Sequence, residues 1–157
     1  MPNPLTILIP AQFNGPPGSA NGGVSAGLAA SRIDGPAEVS LRAPPPLDES
    51  MDMVKVEDGY DIHHGDQLVM TARPAAPLAP PPQAPDYELA RSGPDRFPPA
   101  ETHAFPHCYV CGPERTEDGL CLFTGRPDGY DGVTDVWTPD ESLAGDDGLV
   151  RPEILWA

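Results

Sequence analysis

Hydrophobic and polar residues alternate between residues 37 and 73, a pattern that predicts an antiparallel sheet. AEVSLRA has the two-residue period of a strand, with apolar side chains on one face and polar side chains on the other. MDMVKVE, YDIHH and QLVMTAR follow as further strands, with tight turns expected at Asp58-Gly59 and Gly65-Asp66. The alternation slips at Met53-Val54, where a bulge is expected. The region is therefore predicted to form a β-meander.

A strand and a short helix are predicted before the meander. LTILIPAQF predicts the strand, and the loop FNGPPGSANGG, dense in glycine and proline, follows it. VSAGLAASRI then has four residues on one face at helical spacing, namely Val24, Gly27, Leu28 and Ser31. Asn21 is a suitable N-cap for this helix. A helix that is so short and so rich in small residues is unstable in isolation, so we expect a sheet to wrap around it.

The chain after the meander divides into a linker and a second structured stretch. PAAPLAPPPQAP lacks periodicity and favours an extended polyproline II conformation, and one helical turn is expected within YELARSGPDRFPPA. Further on, DGLCLFTG and GVTDVWTP predict a strand pair, and PEILWA predicts the first turn of a final helix. We therefore divide the chain into a first half at 1–75, a linker at 76–100 and an incomplete or vestigial second half at 101–157.

Composition and charge narrow the classes of function. Proline and glycine make up about a quarter of the 157 residues and apolar residues 39%, so the ordered core should be small. A net charge of −15 disfavours binding to nucleic acid and to anionic membrane surfaces. No stretch approaches the roughly 20 apolar residues that span a bilayer, and the first residues lack the charged region of an export signal. A cytoplasmic protein is expected, and three cysteines do not suggest a disulfide framework.

Two stretches are more specific than the composition: FNGPPGSANGGVSAGL, and HCYVCGPERTEDGLCLF followed by WTPDESLAGDDGLVRPEILWA. In this order, with a meander after the first helix, they resemble bacterial proteins of the hotdog-fold thioesterase superfamily, of the two-domain thioesterase-like type. Cys108, Cys111 and Gly112, with Gly119 and Leu120, are similar to the CxxCG…GL segment in thioesterases of the phenylacetyl-CoA type. The resemblance implies an α+β fold, in which a hotdog-like antiparallel sheet wraps around a central helix and a second hotdog half is incomplete.

The resemblance also implies an activity, the hydrolysis of an acyl-CoA or another acyl thioester, usually by dimers or fused double hotdogs, so a homo-oligomer is expected. In such a site the thioester carbonyl points at a helix N-terminus, where free backbone N–H groups stabilise the oxyanion. Gly22 and Gly23 match the glycines at the start of that helix, with Asn21 beside them and Asn14 at the mouth of the site. Glu153 is the carboxylate nearest the corresponding position in the second half.

The chain departs from the family pattern at Arg151-Pro152-Glu153, which stands where relatives commonly have His-Gly-Gly. Pro152 has no N–H to donate to an oxyanion, and the first helix carries no acid between Val24 and Ser31. The alternative function is therefore a non-catalytic acyl-binding or scaffolding module of hotdog shape.

A third interpretation is a small zinc-bound adaptor. His103, His107, Cys108 and Cys111, with Cys121 nearby, supply the side chains that zinc prefers. A second Cys-x-x-Cys pair is absent from the sequence, so a structural turn is the preferred interpretation. We predict neither a bound metal nor a cofactor.

Overall fold

The computed structural model describes residues 5–115 and 118–157, so Thr116 and Glu117 of the CxxCG…GL segment lie outside the described part. The chain divides into two compact units, a first unit of Met1–Ala79 with Glu141–Ala157 and a second unit of Pro80–Asp140. The sequence-based division differs, because it assigned residues 141–157 to the second half. Within the described residues, no helix combines the length and the apolar character needed to cross a membrane.

The first unit contains a five-stranded antiparallel sheet with the strand order β1-β3-β4-β5-β2. Its strands are β1 (Leu5–Leu8), β2 (Ala37–Leu41), β3 (Ser50–Val56), β4 (Gly59–His64) and β5 (Gln67–Pro74). The predicted meander is confirmed for β3, β4 and β5, which pair in succession, whereas β2 pairs with β5 and not with β3, the next strand along the chain. The predicted first strand is shorter than expected and ends before Pro10, which has no N–H for a ladder hydrogen bond.

The turns and the bulge of the meander differ in part from the predictions. Gly65-Asp66 forms the second turn as predicted, with Gly65 at a φ of 57°. The first turn falls one residue earlier than expected, at Glu57-Asp58, because Val56 pairs with Gly59. The bulge predicted at Met53-Val54 is wrong: pairing of β3 with β4 is regular there, and the register shift lies between β4 and β5. Met51 and Met53 are buried and Asp52 and Val54 are exposed, so residues 51–54 alternate as in a regular strand.

The predicted helix forms as α1 (Gly22–Ala30), which begins at Gly22 because Asn21 caps it. Helix α1 contacts β2 and β5, so one face of the sheet and the helix enclose a shared core. Val24 and Ala29 on the helix are fully buried, and small side chains allow the helix to approach the sheet closely. The buried sheet residues are Ile7, Met51, Met53, Ile62, Val69, Met70 and Ala72. This α+β architecture is compatible with a hotdog-like fold.

The last helix, α3 (Pro152–Leu155), packs against α1 within the first unit. A Cβ placed on Gly23 would lie 2.0 Å from the carbonyl oxygen of Trp156, and one on Gly27 would lie 2.5 Å from the Cα of Glu153. Gly23 thus lies beside Trp156 and Gly27 beside Glu153, so the two helices run antiparallel. This backbone-to-backbone approach explains why the C-terminal residues group with the first unit.

The second unit is mostly irregular and contains the one-turn helix α2 (Tyr87–Ala90), which confirms the helical turn predicted there. The strand pair predicted from DGLCLFTG and GVTDVWTP is wrong, because the two stretches share a single bridge between Gly125 and Thr134. The carboxylate of Asp135 accepts a hydrogen bond from the N–H of Phe123 at 2.6 Å, in place of a cross-strand carbonyl. Side-chain bonding of this kind competes with a regular ladder.

Candidate functional site

A cavity of about 600 Å³ opens at the N-terminus of α1 in the first unit. It is lined by Gly22, by the loop 16–20 that leads into the helix, and by the segment 41–45 at the end of β2. Most of these residues are proline, alanine and glycine, with Leu41 adding a large apolar side chain. The cavity therefore has largely apolar walls and the start of a helix at one side.

The first turn of α1 presents backbone donors at this position. The side-chain oxygen of Asn21 accepts from the N–H of Val24 at 3.0 Å, and its carbonyl oxygen accepts from the N–H of Ser25. Gly22 and Gly23 precede these residues, so their N–H groups have no acceptor within the helix. The aligned peptide dipoles add a partial positive charge at the same end. This arrangement suits an oxygen that carries or develops negative charge.

The loop before α1 is held in place by backbone hydrogen bonds. Asn14 forms a bridge with Ala20, and the N–H of Gly15 donates to the carbonyl of Ser19 at 2.9 Å. A side chain on Gly15 would come within 3.0 Å of the Cα of Asn21, so this glycine permits the tight loop. Asn14 therefore lies at the base of the loop, and Asn21 acts as the helix cap.

Arg42 supplies the positive charge among the residues that line the cavity. The backbone N–H of Arg42 donates to the carbonyl of Val69 at 2.8 Å, and this bond anchors the segment after β2 to the sheet. The side chain is exposed, in a protein with 24 acidic and 9 basic residues. A cation at this rim partly offsets the long-range repulsion that an anionic ligand meets at such an acidic surface.

The predicted site residues fall into two places. Gly22 lines the cavity, whereas Gly23 faces the carbonyl of Trp156 and Glu153 packs beside Gly27. The carboxylate of Glu153 lies 3.8 Å from the guanidinium of Arg151, and its side chain is 21% exposed. The described residues that line the cavity include no carboxylate, imidazole or thiol.

Sequence reasoning missed the contribution of the segment after β2. Leu41 belongs to the predicted strand AEVSLRA, whose alternation does not indicate a cavity. Leu41, Pro44 and Pro45 line the cavity because β2 is an edge strand that ends beside the start of α1. The prolines that follow AEVSLRA were visible in the sequence, but the edge position of β2 is a property of the tertiary structure.

The cysteine segment has a separate environment in the second unit. Cys108 is buried. Burial of the Cys111 thiol, together with the neighbouring Cys108 thiol, raises the pKa of Cys111 to about 11. Cys121 donates instead to the carbonyl of Arg115 at 3.4 Å, and His107 lies 3.3 Å from Glu114. In the part of the chain that the structure describes, no three metal-ligating side chains come together, which leaves the zinc interpretation without support.

No family model matches the chain, and comparisons with curated proteins and with solved structures find no significant match. A functional assignment therefore depends on the geometry of the chain itself.

Proposed function

We propose that the protein is an acyl-CoA thioesterase that binds its substrate in the cavity at the N-terminus of α1. The observation that carries this proposal is the cavity of about 600 Å³ that opens on Gly22. The antiparallel sheet packed against a single helix supports it further, because this is the arrangement expected of a hotdog-like domain. The apolar walls suit an acyl chain.

The proposed mechanism uses the first turn of α1 as the oxyanion site. The thioester carbonyl oxygen accepts hydrogen bonds from the N–H groups of Gly22 and Gly23, and water adds to the carbonyl carbon. As the water adds, the C=O π bond breaks and negative charge develops on that oxygen. The C=O bond then re-forms, the carbon–sulfur bond breaks and the thiolate leaves. Donors placed where charge develops stabilise the transition state more than the ground state. Arg42 at the rim pairs with a phosphate of the coenzyme.

Glu153 is the proposed carboxylate that orients the water and accepts its proton as the water adds. It lies on α3 beside Gly27, four residues along α1 from Gly23. A carboxylate in this role has to reach the water directly or through one further water molecule. Hydrolysis therefore requires this side chain to turn from Arg151 toward the first turn of α1.

A non-catalytic acyl-binding module is the second candidate, and a specific observation favours it. The described cavity lining contains no group that can act as a general base, and Glu153 is paired with Arg151 at 3.8 Å. In this case acyl-CoA binds in the same cavity but is not turned over. The homo-oligomer implied by the resemblance stays a prediction for either function.

A thiol-release assay with short- and medium-chain acyl-CoAs, combined with the substitution Gly22→Pro, tests the proposal. Proline is favoured at the first position of a helix and has no N–H, so it removes the proposed donor and keeps the helix. Asn21 has φ −60° and ψ 130°, the extended conformation that a following proline requires. Loss of one oxyanion donor is expected to lower kcat by about 10²–10³-fold.

Gly22→Ala is the matched control, because it retains the N–H and its Cβ would meet only the side chain of Leu41 at 3.5 Å. Glu153→Gln is expected to abolish turnover but not binding, and Arg42→Gln to raise KM with little change in kcat. Binding without thiol release from any acyl-CoA supports the non-catalytic module. Absence of both binding and release contradicts both functions.

A further inference from the structure

Cys108 and Cys111 lie on one turn of the second unit. Burial and the nearby Cys108 thiol together raise the pKa of Cys111. The N–H of Gly112 donates to the carbonyl of Cys108 at 2.9 Å, so residues 108–112 form one helical turn. Residues three apart on such a turn are neighbours, at a separation that overlaps the Cα–Cα range of disulfides.

We propose that Cys108 and Cys111 are a redox modification site that closes to an intramolecular disulfide when a hydroperoxide is the oxidant. The Cys111 thiolate attacks the peroxide, the O–O bond breaks, and a sulfenic acid and one molecule of water or alcohol form. The Cys108 sulfur then attacks the sulfenic sulfur, and a second water leaves. Two thiols lose two protons and two electrons, and the peroxide takes them up.

Burial assigns the order of the two steps. Cys108 is only 6% exposed, whereas Cys111 is partly exposed and is the thiol that an oxidant from solvent meets first. Because the raised pKa of Cys111 keeps most of this thiol protonated at neutral pH, its oxidation is slow and accelerates as the pH rises. The pair therefore responds to strong or sustained oxidation.

Two backbone hydrogen bonds join the turn that carries the pair to residues 120–122. The N–H of Leu120 donates to the carbonyl of Tyr109 at 2.8 Å, and the N–H of Leu122 donates to the carbonyl of Val110 at 2.8 Å. Tyr109 is buried at the centre of this segment. A disulfide between 108 and 111 closes a very small loop, so its effect is expected to be local.

The test treats the purified full chain with hydrogen peroxide, alkylates the remaining thiols and maps the peptides by mass spectrometry. The expected result is a loss of two alkylated thiols, a peptide linked between Cys108 and Cys111, and recovery of both thiols on reduction. Cys121 is the internal control, because its sulfur contacts the carbonyl of Arg115 and should stay free.

Three single variants sharpen this test. Cys108→Ser and Cys111→Ser should each abolish the cross-link, and Cys121→Ser should leave it intact. Since the linkage is mapped on the wild-type chain, the test also decides the matter if a variant fails to fold. A cross-link that includes Cys121, a disulfide between two chains, over-oxidation of Cys111 beside a free Cys108, or bound zinc that protects both thiols would overturn the proposal.

Discussion

Replacing Gly27 with alanine is expected to displace α3 from α1. The new Cβ would lie 2.5 Å from the Cα of Glu153 and 3.0 Å from its Cβ. Neither atom is the flexible end of a side chain, so α3 has to move as a unit to restore an ordinary contact. Ile154, which is 2% exposed, moves with it and loses part of its burial.

The size of the effect follows from three terms. Alanine is favoured over glycine within a helix by about 1 kcal/mol. Overpacking costs about 1–3 kcal/mol, and exposing a large aliphatic side chain such as Ile154 costs up to about 3 kcal/mol. Gly27→Ala is therefore expected to lower the free energy of unfolding by about 2 kcal/mol. Gly22→Ala on the same helix should change it by less than about 0.5 kcal/mol, because its Cβ makes an ordinary contact.

Urea unfolding measures this difference, with Trp156 as the reporter in a background that carries Trp137→Phe. The backbone of Trp156 lies against Gly23, so release of α3 should shift its fluorescence to longer wavelength before the sheet unfolds. The Gly22→Ala protein should give the wild-type spectrum and midpoint. A Gly27→Ala protein with the wild-type midpoint and emission would refute the close approach of the two helices.

Further predictions concern the helix cap and the second unit. Asn21→Ala should lower the free energy of unfolding by about 1 kcal/mol, measured by urea denaturation, because the N–H of Val24 loses its acceptor; Asn21→Asp should restore it. Alkylation of Cys111, followed by mass spectrometry, should keep accelerating above pH 9.0, since its pKa is about 11. In the unfolded chain the Cys111 thiol loses its proton at lower pH than in the folded chain. The contribution of Cys111 to the free energy of unfolding should therefore fall as the pH rises from 9.0 to about 11. The hydrogen bond from Arg115 lowers the pKa of Asp118 from its ordinary value, so Arg115→Gln should raise this pKa in an NMR titration, and an unchanged pKa would contradict the ion pair.

Part of the candidate site follows from the sequence. The glycines after Asn21 mark a helix start with free N–H groups, and Gly22 does line a cavity. The position of Glu153 could not be predicted, because it depends on how α3 packs rather than on spacing along the chain. The same is true of the segment 41–45, which meets the helix only because β2 lies at the edge of the sheet.

Local patterns determined the elements of the first unit by themselves. The two-residue alternation of β3, β4 and β5 and the cap of α1 depend on neighbouring residues, so they could be read from the chain alone. Where alternation was weak, as in the stretches joined by Gly125 and Thr134, side-chain hydrogen bonds decided the structure. The tertiary structure alone decided that α3 docks on α1. Gly23 and Gly27 permit a close approach, but a missing side chain does not specify which backbone fills the space.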